Sequence, residues 1–223
     1  MKYMMTPTSI KPILPRRAIA MLAVAAALVV SLAPSRFLAP AWADDPMSVV
    51  KTTVNQALDV LRDNQTPLAQ RQDKLRQIVS ATFDFTEMAK SALGYHWKQI
   101  TPDQQQEFTN AFVAFIEDSY LSKVNDYRGQ QVAFLRTTSD GPQYAEVNTD
   151  VVEPDGKDPI HLNYRLVQQG ATWKIYDVTV DAISIIANYR NQFNRVMNNQ
   201  GYATLISDLK SKQAALAASL ANH

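Results

Sequence analysis

The spacing of hydrophobic residues changes twice along the chain, and it predicts helices first, then strands, then helices again. Apolar residues recur at helical intervals over residues 47–63. Thr66 and Pro67 then give a cap-plus-proline start, and Thr101 and Pro102 repeat it ahead of a long apolar face. The first half of the chain is therefore predicted to be helical.

One helix between these two is more fully specified by the sequence. Asp84 is a good capping residue, and Glu87 lies three positions later, where its side chain can reach back to the cap. Phe83 is placed to pack on Met88 as a hydrophobic staple, and Gly94 suits a left-handed stop. These signals predict a short helix with defined ends.

From Gln130 the hydrophobic period falls to two, which is typical of strands. Further strands are predicted at 144–152, 160–166 and 172–180, and the apolar phase slips within the last one, which indicates a bulge or burial on both faces. Tight turns between successive strands imply an antiparallel sheet, and the flanking helices make the fold class α+β. We expect a curved sheet of about four strands covered by helices, an NTF2-like cone with an apolar cavity between the layers.

Two helices are predicted after the sheet. The first spans 183–198 and is ended by Gly201. The second is amphipathic and carries Leu205 and Leu209, and its Ala-rich tail is expected to fray from about residue 212.

The N-terminus has the features of a secretory signal. Basic residues precede an apolar run from Ala18 to Ala33, and the small residues Ala41 and Ala43 flank Trp42 at a cleavage position. The run is shorter than the roughly 20 residues that a membrane-spanning helix needs. We predict a signal peptide over 1–43, cleavage after Ala43, and a single mature domain over 44–223 in the periplasm.

Charge and composition remove several classes of function. Five of the 22 basic residues and none of the 21 acidic residues lie in the first 43 positions, so the mature part has 17 basic and 21 acidic residues, a formal charge of −4. A slightly acidic chain lacks the excess of basic residues that attracts the phosphates of nucleic acid. The absence of cysteine excludes disulfides and thiol chemistry. No cofactor is expected.

Residues for catalysis or metal binding are sparse. The three histidines are scattered, and there is neither a Gly-rich phosphate loop nor a Gly-x-Ser-x-Gly elbow. An acidic cluster at Asp150, Glu153, Asp155 and Asp158 resembles a calcium loop, but prolines break the ligand spacing and favour a solvated loop. Asp177 is the best candidate for a buried catalytic acid; a structural role, bonded to a backbone amide or to an arginine, is the competing hypothesis. We expect a protein that is not an enzyme.

Three aromatic-rich clusters, in a fixed order along the chain, carry a family resemblance. They are Phe83-Asp84-Phe85 with Met88-Ala89, Ala92-Leu93-Gly94 and Trp97; Thr101 with Gln105 and Phe108; and Trp173-Lys174-Ile175-Tyr176-Asp177-Val178 with Ser184, Tyr189-Arg190 and Gln192-Phe193. From about Asp45 to Lys210 the chain resembles the MlaC family of periplasmic phospholipid-binding proteins, also called the toluene-tolerance or ABC-transporter auxiliary family. Asp181-Ala182 stands where the family usually has an acidic residue and glycine, which predicts a slightly different turn between sheet and helix.

The resemblance implies a periplasmic carrier of a phospholipid, or of a hopanoid-type lipid as in one branch of the family. It implies two partners: an outer-membrane lipoprotein complex, and an inner-membrane ABC transporter with its ring-forming substrate-binding subunit. An enzyme that uses Asp177 and a solid-core adaptor are the alternatives. The apolar pattern, read with the resemblance, places the following residues at the lipid cavity: Phe83, Met88, Leu93, Trp97, Phe112, Ile116, Phe134, Leu162, Tyr164, Leu166, Ile175, Val178, Ile183, Ile186, Tyr189 and Phe193.

Overall fold

The computed structural model describes residues 45–121 and 124–221, so the predicted signal peptide lies outside the described residues. Helices come before and after a single sheet, as the sequence predicts. The helices are α1 (Pro46–Arg62), α2 (Leu68–Thr82), α3 (Phe85–Leu93), α4 (Pro102–Leu121), α5 (Ile185–Gln200) and α6 (Tyr202–Ala221), with short 3₁₀ helices at Gly94–Gln99 and Val124–Asp126. No helix in the described ranges is long and apolar enough to cross a membrane.

The sheet is an antiparallel meander in which each strand pairs with the next along the chain. Its strands are β1 (Gln131–Ser139), β2 (Tyr144–Val152), β3 (Ile160–Gln169), β4 (Thr172–Val180) and the two-residue β5 (Ile183–Ser184). Alternate residues of β2 and β3 are buried, because one face of the sheet is covered by helices and the other faces solvent. The α+β class and the helix-covered antiparallel sheet are confirmed.

A bulge in β4 explains the slip in its apolar phase. Arg165 of β3 pairs with Asp177 but Leu166 pairs with Ile175, which leaves Tyr176 as the extra residue. Beyond the bulge, four consecutive residues of β4 are buried. An extra residue bends and twists a strand, so β4 can follow the helices packed around it.

The helix boundaries follow the capping chemistry that the sequence carries. The Asp84 carboxylate accepts the Glu87 amide at 2.9 Å and starts α3, and Gly94 ends it with φ of 60°. At α4 a complete capping box forms, because Thr101 and Gln104 each accept the other's backbone amide. Glu87, by contrast, turns to Lys90 and Ser91 rather than back to the cap.

The main core is aromatic and lies between α4 and α5. The rings of Phe108, Phe112 and Phe115 on α4 contact those of Tyr189 and Phe193 on α5, with centroids of contacting rings across the two helices 5.6–5.8 Å apart in edge-to-face geometry. All five side chains are essentially fully buried. Edge-to-face pairs add about 0.5–1.5 kcal/mol each beyond area burial, so this part of the core is solid.

The last helix is longer than the sequence suggests. The Ala-rich stretch from residue 212 is expected to fray, whereas in the structure α6 continues through it to Ala221. Leu216 and Leu220 pack against the core, and the Gln213 amide donates to Asp118 at 2.8 Å. Two leucines spaced by four residues are enough to anchor a helix face that is otherwise mostly alanine.

Candidate functional site

The main candidate site is an apolar cavity enclosed by helices near the β4 edge of the sheet. Its walls come from α1, α2, α3, α4, the start of α5, the 3₁₀ helix Val124–Asp126, one residue of β4, and Phe83 between α2 and α3. The lining residues are Leu61, Leu75, Arg76, Val79, Phe83, Phe85, Met88, Ile116, Glu117, Tyr120, Leu121, Val124, Val178 and Ile185. Nearly all are aliphatic or aromatic, so the cavity suits a hydrocarbon.

The cavity is narrow, with a volume of about 60 Å³. That space holds a few water molecules, whereas pockets that bind small ligands occupy about 300–1,000 Å³. A hydrocarbon chain of biological length therefore fits only if the surrounding helices move apart.

Two charged residues interrupt the apolar wall where α2 approaches α4. The Arg76 guanidinium lies 3.0 Å from a carboxylate oxygen of Asp118 and of Asp73, and 3.9 Å from Glu117. Burial raises the pKa of the Glu117 carboxyl above its ordinary value, and the neighbouring Arg76 opposes that shift. This part of the cavity wall therefore has one cation among three carboxyl groups.

The same charged pair lies at the boundary between the cavity and the surface. Arg76 and Glu117 also line an open groove of about 470 Å³ formed by α2, α4 and α6. The inner cavity and the groove are therefore neighbours at this pair.

The structure brings together only part of the predicted set of lining residues. Phe83, Met88, Ile116 and Val178 lie at the cavity wall. The rest of the buried set belongs to the core away from the cavity: Leu93, Phe112, Leu162, Tyr164, Leu166, Ile175, Ile186, Tyr189 and Phe193. Of the described sheet residues, only Val178 reaches the cavity. Contact of any of these residues with a lipid stays a prediction.

Two further predicted residues are half-buried at the margins. Trp97 packs against the core from the 3₁₀ helix after α3, and Phe134 lies on β1 with the Lys51 ammonium 5.6 Å from its ring centroid. Neither lines the apolar cavity.

The expected position of Ile183 is wrong. Its side chain is 58 % exposed on β5, and it does not reach the cavity. The sequence pattern starts the helix at Ile183, but the chain first forms a hairpin and α5 begins at Ile185. Within α5, Ile185 lines the cavity while Ile186, about 100° further round the helix, packs in the core.

The cavity residues that sequence reasoning missed lie mainly on α2 and on the last turn of α4. Val79, Tyr120 and Leu121 belong to ordinary amphipathic stripes, which look the same whether they face a core or a cavity. Only helical spacing from Phe112 and Ile116 pointed to Tyr120. No local signal distinguishes a packed apolar face from an unfilled one.

Asp177 has a structural role in the turn from the sheet to α5. Its carboxylate accepts the Ser184 hydroxyl at 2.6 Å and the amides of Val178 and Ile186 at 2.9 and 3.2 Å. The Arg165 guanidinium lies 3.6 Å away. Burial raises the pKa of Asp177 and these donors oppose the rise. Asp177 does not line the cavity, so the structural hypothesis for this residue is supported.

The acidic cluster near β2 and β3 gives no metal site. Among the described residues, no group of three or more His, Cys, Asp or Glu side chains is arranged to hold an ion. Asp150 instead accepts from the His161 imidazole at 2.7 Å, and this contact raises the pKa of His161 on the solvent face of the sheet.

Comparison with known proteins identifies the family. The model of the MlaC protein family matches residues 51–211, which cover most of the chain and all the elements that enclose the cavity except the first turn of α1. This chain belongs to the MlaC family.

Two relatives and one solved structure agree with membership of the MlaC family. An intermembrane phospholipid transport system binding protein MlaC from Haemophilus influenzae is 20 % identical over 172 residues, 74 % of this chain and 80 % of that protein. The toluene tolerance protein ttg2D of Pseudomonas putida is 27 % identical over 164 residues, 71 % of this chain and 76 % of that protein. A phospholipid-binding protein from Ralstonia solanacearum, solved in complex with a phospholipid, has a TM-score of 0.59 and 27 % identity, and the match covers 72 % of this chain and 88 % of that one.

Proposed function

We propose that this protein is a periplasmic lipid carrier, which binds the acyl chains of a phospholipid in the apolar cavity and carries them between membranes. The observation on which the proposal depends is an apolar cavity, enclosed by the helices of an MlaC-family fold that also occurs in a phospholipid-complexed protein. A hopanoid-type lipid is the alternative cargo.

The energetics explain why such a carrier needs no catalytic groups. Two acyl chains of about 16 carbons represent about 25 kcal/mol of transfer free energy at about 0.8 kcal/mol per CH₂. Free passage through water at that cost is negligible. A cavity that matches the bilayer within a few kcal/mol allows the lipid to enter and leave.

The small cavity volume bears on the solid-core adaptor hypothesis. About 60 Å³ of empty space is what a protein with a solid core would have, and alone it would favour an adaptor. The match to a phospholipid-complexed structure favours a carrier whose cavity closes when it is empty. Loose contact between α2 and α4, bridged by the charged residues around Arg76, is where we expect the cavity to widen.

Export and partners complete the proposal. The predicted signal over 1–43 would deliver the mature chain to the periplasm, after cleavage following Ala43. There it would exchange lipid with an outer-membrane lipoprotein complex and with an inner-membrane ABC transporter and its ring-forming subunit. The enzyme alternative loses its main support, because Asp177 is engaged by four neighbouring donors away from the cavity.

Two matched substitutions test the cavity. Val79 on α2 is half-buried and lines the cavity, and Val79→Asp would place a charge among hydrocarbon at a cost of several kcal/mol when lipid is bound. We expect the variant, purified from periplasm, to carry at least about tenfold less lipid by native mass spectrometry and organic extraction. Ile183→Asp makes the same change at an exposed site and should leave the lipid load unchanged.

Circular dichroism melting of both variants checks that the fold survives. A folded Val79→Asp protein with a full lipid load would place the lipid elsewhere. A wild-type protein that carries no lipid from its own periplasm would count against the carrier function as a whole.

A further inference from the structure

The narrow apolar cavity ends at a second, polar pocket that holds three arginines. Arg62, Arg71 and Arg128 line a pocket of about 580 Å³ that opens to solvent between the end of α1, α2 and the start of β1. Leu61 and Val124 line both this pocket and the apolar cavity. The two spaces are therefore neighbours across one apolar wall.

Arg71 is the member of this group with unused hydrogen-bonding capacity. Its Nε is buried and has no hydrogen-bond partner, and one terminal nitrogen makes a long contact of 3.5 Å with the Leu61 carbonyl. Among the described residues, no carboxylate forms an ion pair with Arg71. A buried donor without a partner is unfavourable, because it has lost its hydrogen bonds to water and gained none in the protein. Arg71 also lines the pocket, where an anion would pair with its guanidinium group.

The other two arginines are held near the surface. Arg62 lies 3.4 Å from Asp59 in a half-exposed pair, which contributes little to stability and is easily exchanged. Arg128 donates to the Tyr127 carbonyl at 2.9 Å. Guanidinium groups match the geometry of phosphate oxygens and bind them through paired hydrogen bonds.

The part of the cavity wall around Arg76 has the opposite charge balance to the arginine-lined pocket. There Arg76 is outnumbered by Asp73, Glu117 and Asp118, so a phosphate would be repelled. The charge balance therefore favours a phosphate at the arginine-lined pocket over one beside Arg76.

We propose that Arg71, assisted by Arg62 and Arg128, binds the phosphate of the lipid head group while the acyl chains pass Leu61 and Val124 into the apolar cavity. This inference rests on the proposed carrier function and adds to it a site that selects phosphate-bearing lipids over neutral lipids with the same chains. Free inorganic phosphate has the same chemistry and is the competing source of the anion.

The experiment compares lipids that differ only in the phosphate-bearing head group. Delipidated mature protein is incubated with vesicles that contain equal amounts of dipalmitoyl phosphatidylglycerol and dipalmitoylglycerol, then re-isolated, and both lipids are counted by mass spectrometry. We expect wild-type protein to prefer the phospholipid. Arg71→Gln should lower that preference by about tenfold, which corresponds to about 1.4 kcal/mol. Arg71→Lys keeps the positive charge but loses the paired guanidinium donors, so its preference for the phospholipid should lie between those of wild type and Arg71→Gln.

Arg195→Gln is the matched control, because Arg195 is an exposed residue of α5 away from both pockets. It should keep the wild-type preference. An unchanged preference in both Arg71→Gln and Arg71→Lys, with melting curves like wild type, would overturn the phosphate site.

The remaining outcomes separate the two hypotheses and the two phosphate sources. Uptake of both lipids without discrimination by wild-type protein leaves the carrier function standing and rejects the phosphate site. Uptake of neither lipid rejects the carrier function itself. Binding of millimolar inorganic phosphate, followed by ³¹P NMR, that depends on Arg71 but does not compete with phosphatidylglycerol would assign the site to free phosphate and overturn the head-group proposal.

Discussion

Two residues, Asp181 and Ala182, determine the turn that connects the sheet to α5. Asp181 and Ala182 both have positive φ, 46° and 66°, as a two-residue hairpin turn between β4 and β5 requires. Asp181 is also held by its backbone amide, which donates to His161, and by its carboxylate, which accepts the His161 amide. Among the described residues, no hydrogen bond of this kind is seen for Ala182, so its left-handed backbone is sterically unfavourable without an offsetting interaction.

Replacement of Ala182 by glycine should therefore stabilise the protein. The left-handed conformation is free for glycine, and part of that gain is offset by the greater entropy of the unfolded chain. We expect Ala182→Gly to raise the free energy of unfolding by about 0.5–1 kcal/mol in urea titrations. Ala214→Gly, on the exposed face of α6, is the control and should lower it by about 1 kcal/mol. A loss of stability at both positions would contradict the strained turn.

Glu117 predicts a pH dependence of stability. Burial raises its pKa in the folded protein, so the ionised form is disfavoured by folding, and the penalty is complete above the folded-state pKa and absent below the unfolded-state value. Glu117→Gln should thus be more stable than wild type at pH 7. The difference should vanish as the pH falls below the ordinary range of glutamate.

Glu107 supplies the control with the opposite sign. A hydrogen bond from Lys210 and another from Tyr202 lower the pKa of Glu107, so its ionised form adds stability above the unfolded-state value. Glu107→Gln should be less stable than wild type at pH 7, with the deficit lost in acid. Thermal melts of both variants across pH 3–8 give the comparison; equal responses would contradict the burial of Glu117.

At the scale of elements, the helices differ in how firmly they are tied to the rest of the molecule. The aromatic cluster joins α4 to α5. The start of α3 is fixed to β4, because the Asp84 backbone amide donates to the Ile175 carbonyl at 2.8 Å. The mouth of the cavity between α2 and α4 is bridged instead by the charged residues around Arg76. Ion pairs of partly exposed groups are weaker than aromatic packing, so this seam is the one most easily opened.

The last part of α6 should contribute to stability. Leu216 and Leu220 pack against the core and Gln213 bonds to Asp118, the same carboxylate that holds Arg76. Truncation after Lys212 should therefore lower the free energy of unfolding by about 2 kcal/mol, the value of two partly buried leucines. Truncation after Leu220 keeps these contacts and should have no effect. Equal stability of the two truncated proteins would mean that this segment frays in solution.

At the scale of the whole molecule, a solid core and an adaptable cavity lie side by side under one sheet. The aromatic core joins α4 to α5, while residues of α1 to α5 enclose about 60 Å³ that is lined almost entirely by hydrocarbon. An apolar cavity of this size forgoes some packing energy, about 20 cal/mol per Å² of its surface. A bound chain would restore those contacts, and that gain would offset the cost of moving the helices apart.

The sequence by itself determined the elements and their order. Caps at Asp84 and Thr101, the stop at Gly94 and the period-two runs of β2 and β3 are local signals, because each acts through residues a few positions apart. The clusters around Phe83, Trp97 and Trp173 carried the family resemblance for the same reason. Local chemistry is readable from one chain.

The tertiary structure alone decided which apolar faces meet one another and which surround empty space. Phe112 and Tyr189 have the pattern of cavity residues and pack in the solid core, whereas Val79 and Tyr120 have the same pattern and line the cavity. The helix α5 begins two residues later than the sequence predicts, and Ile185 rather than Ile183 lies at the cavity wall. Hydrophobic periodicity records that a side chain leaves water, and it carries no information about what the side chain meets, because that depends on residues distant in sequence.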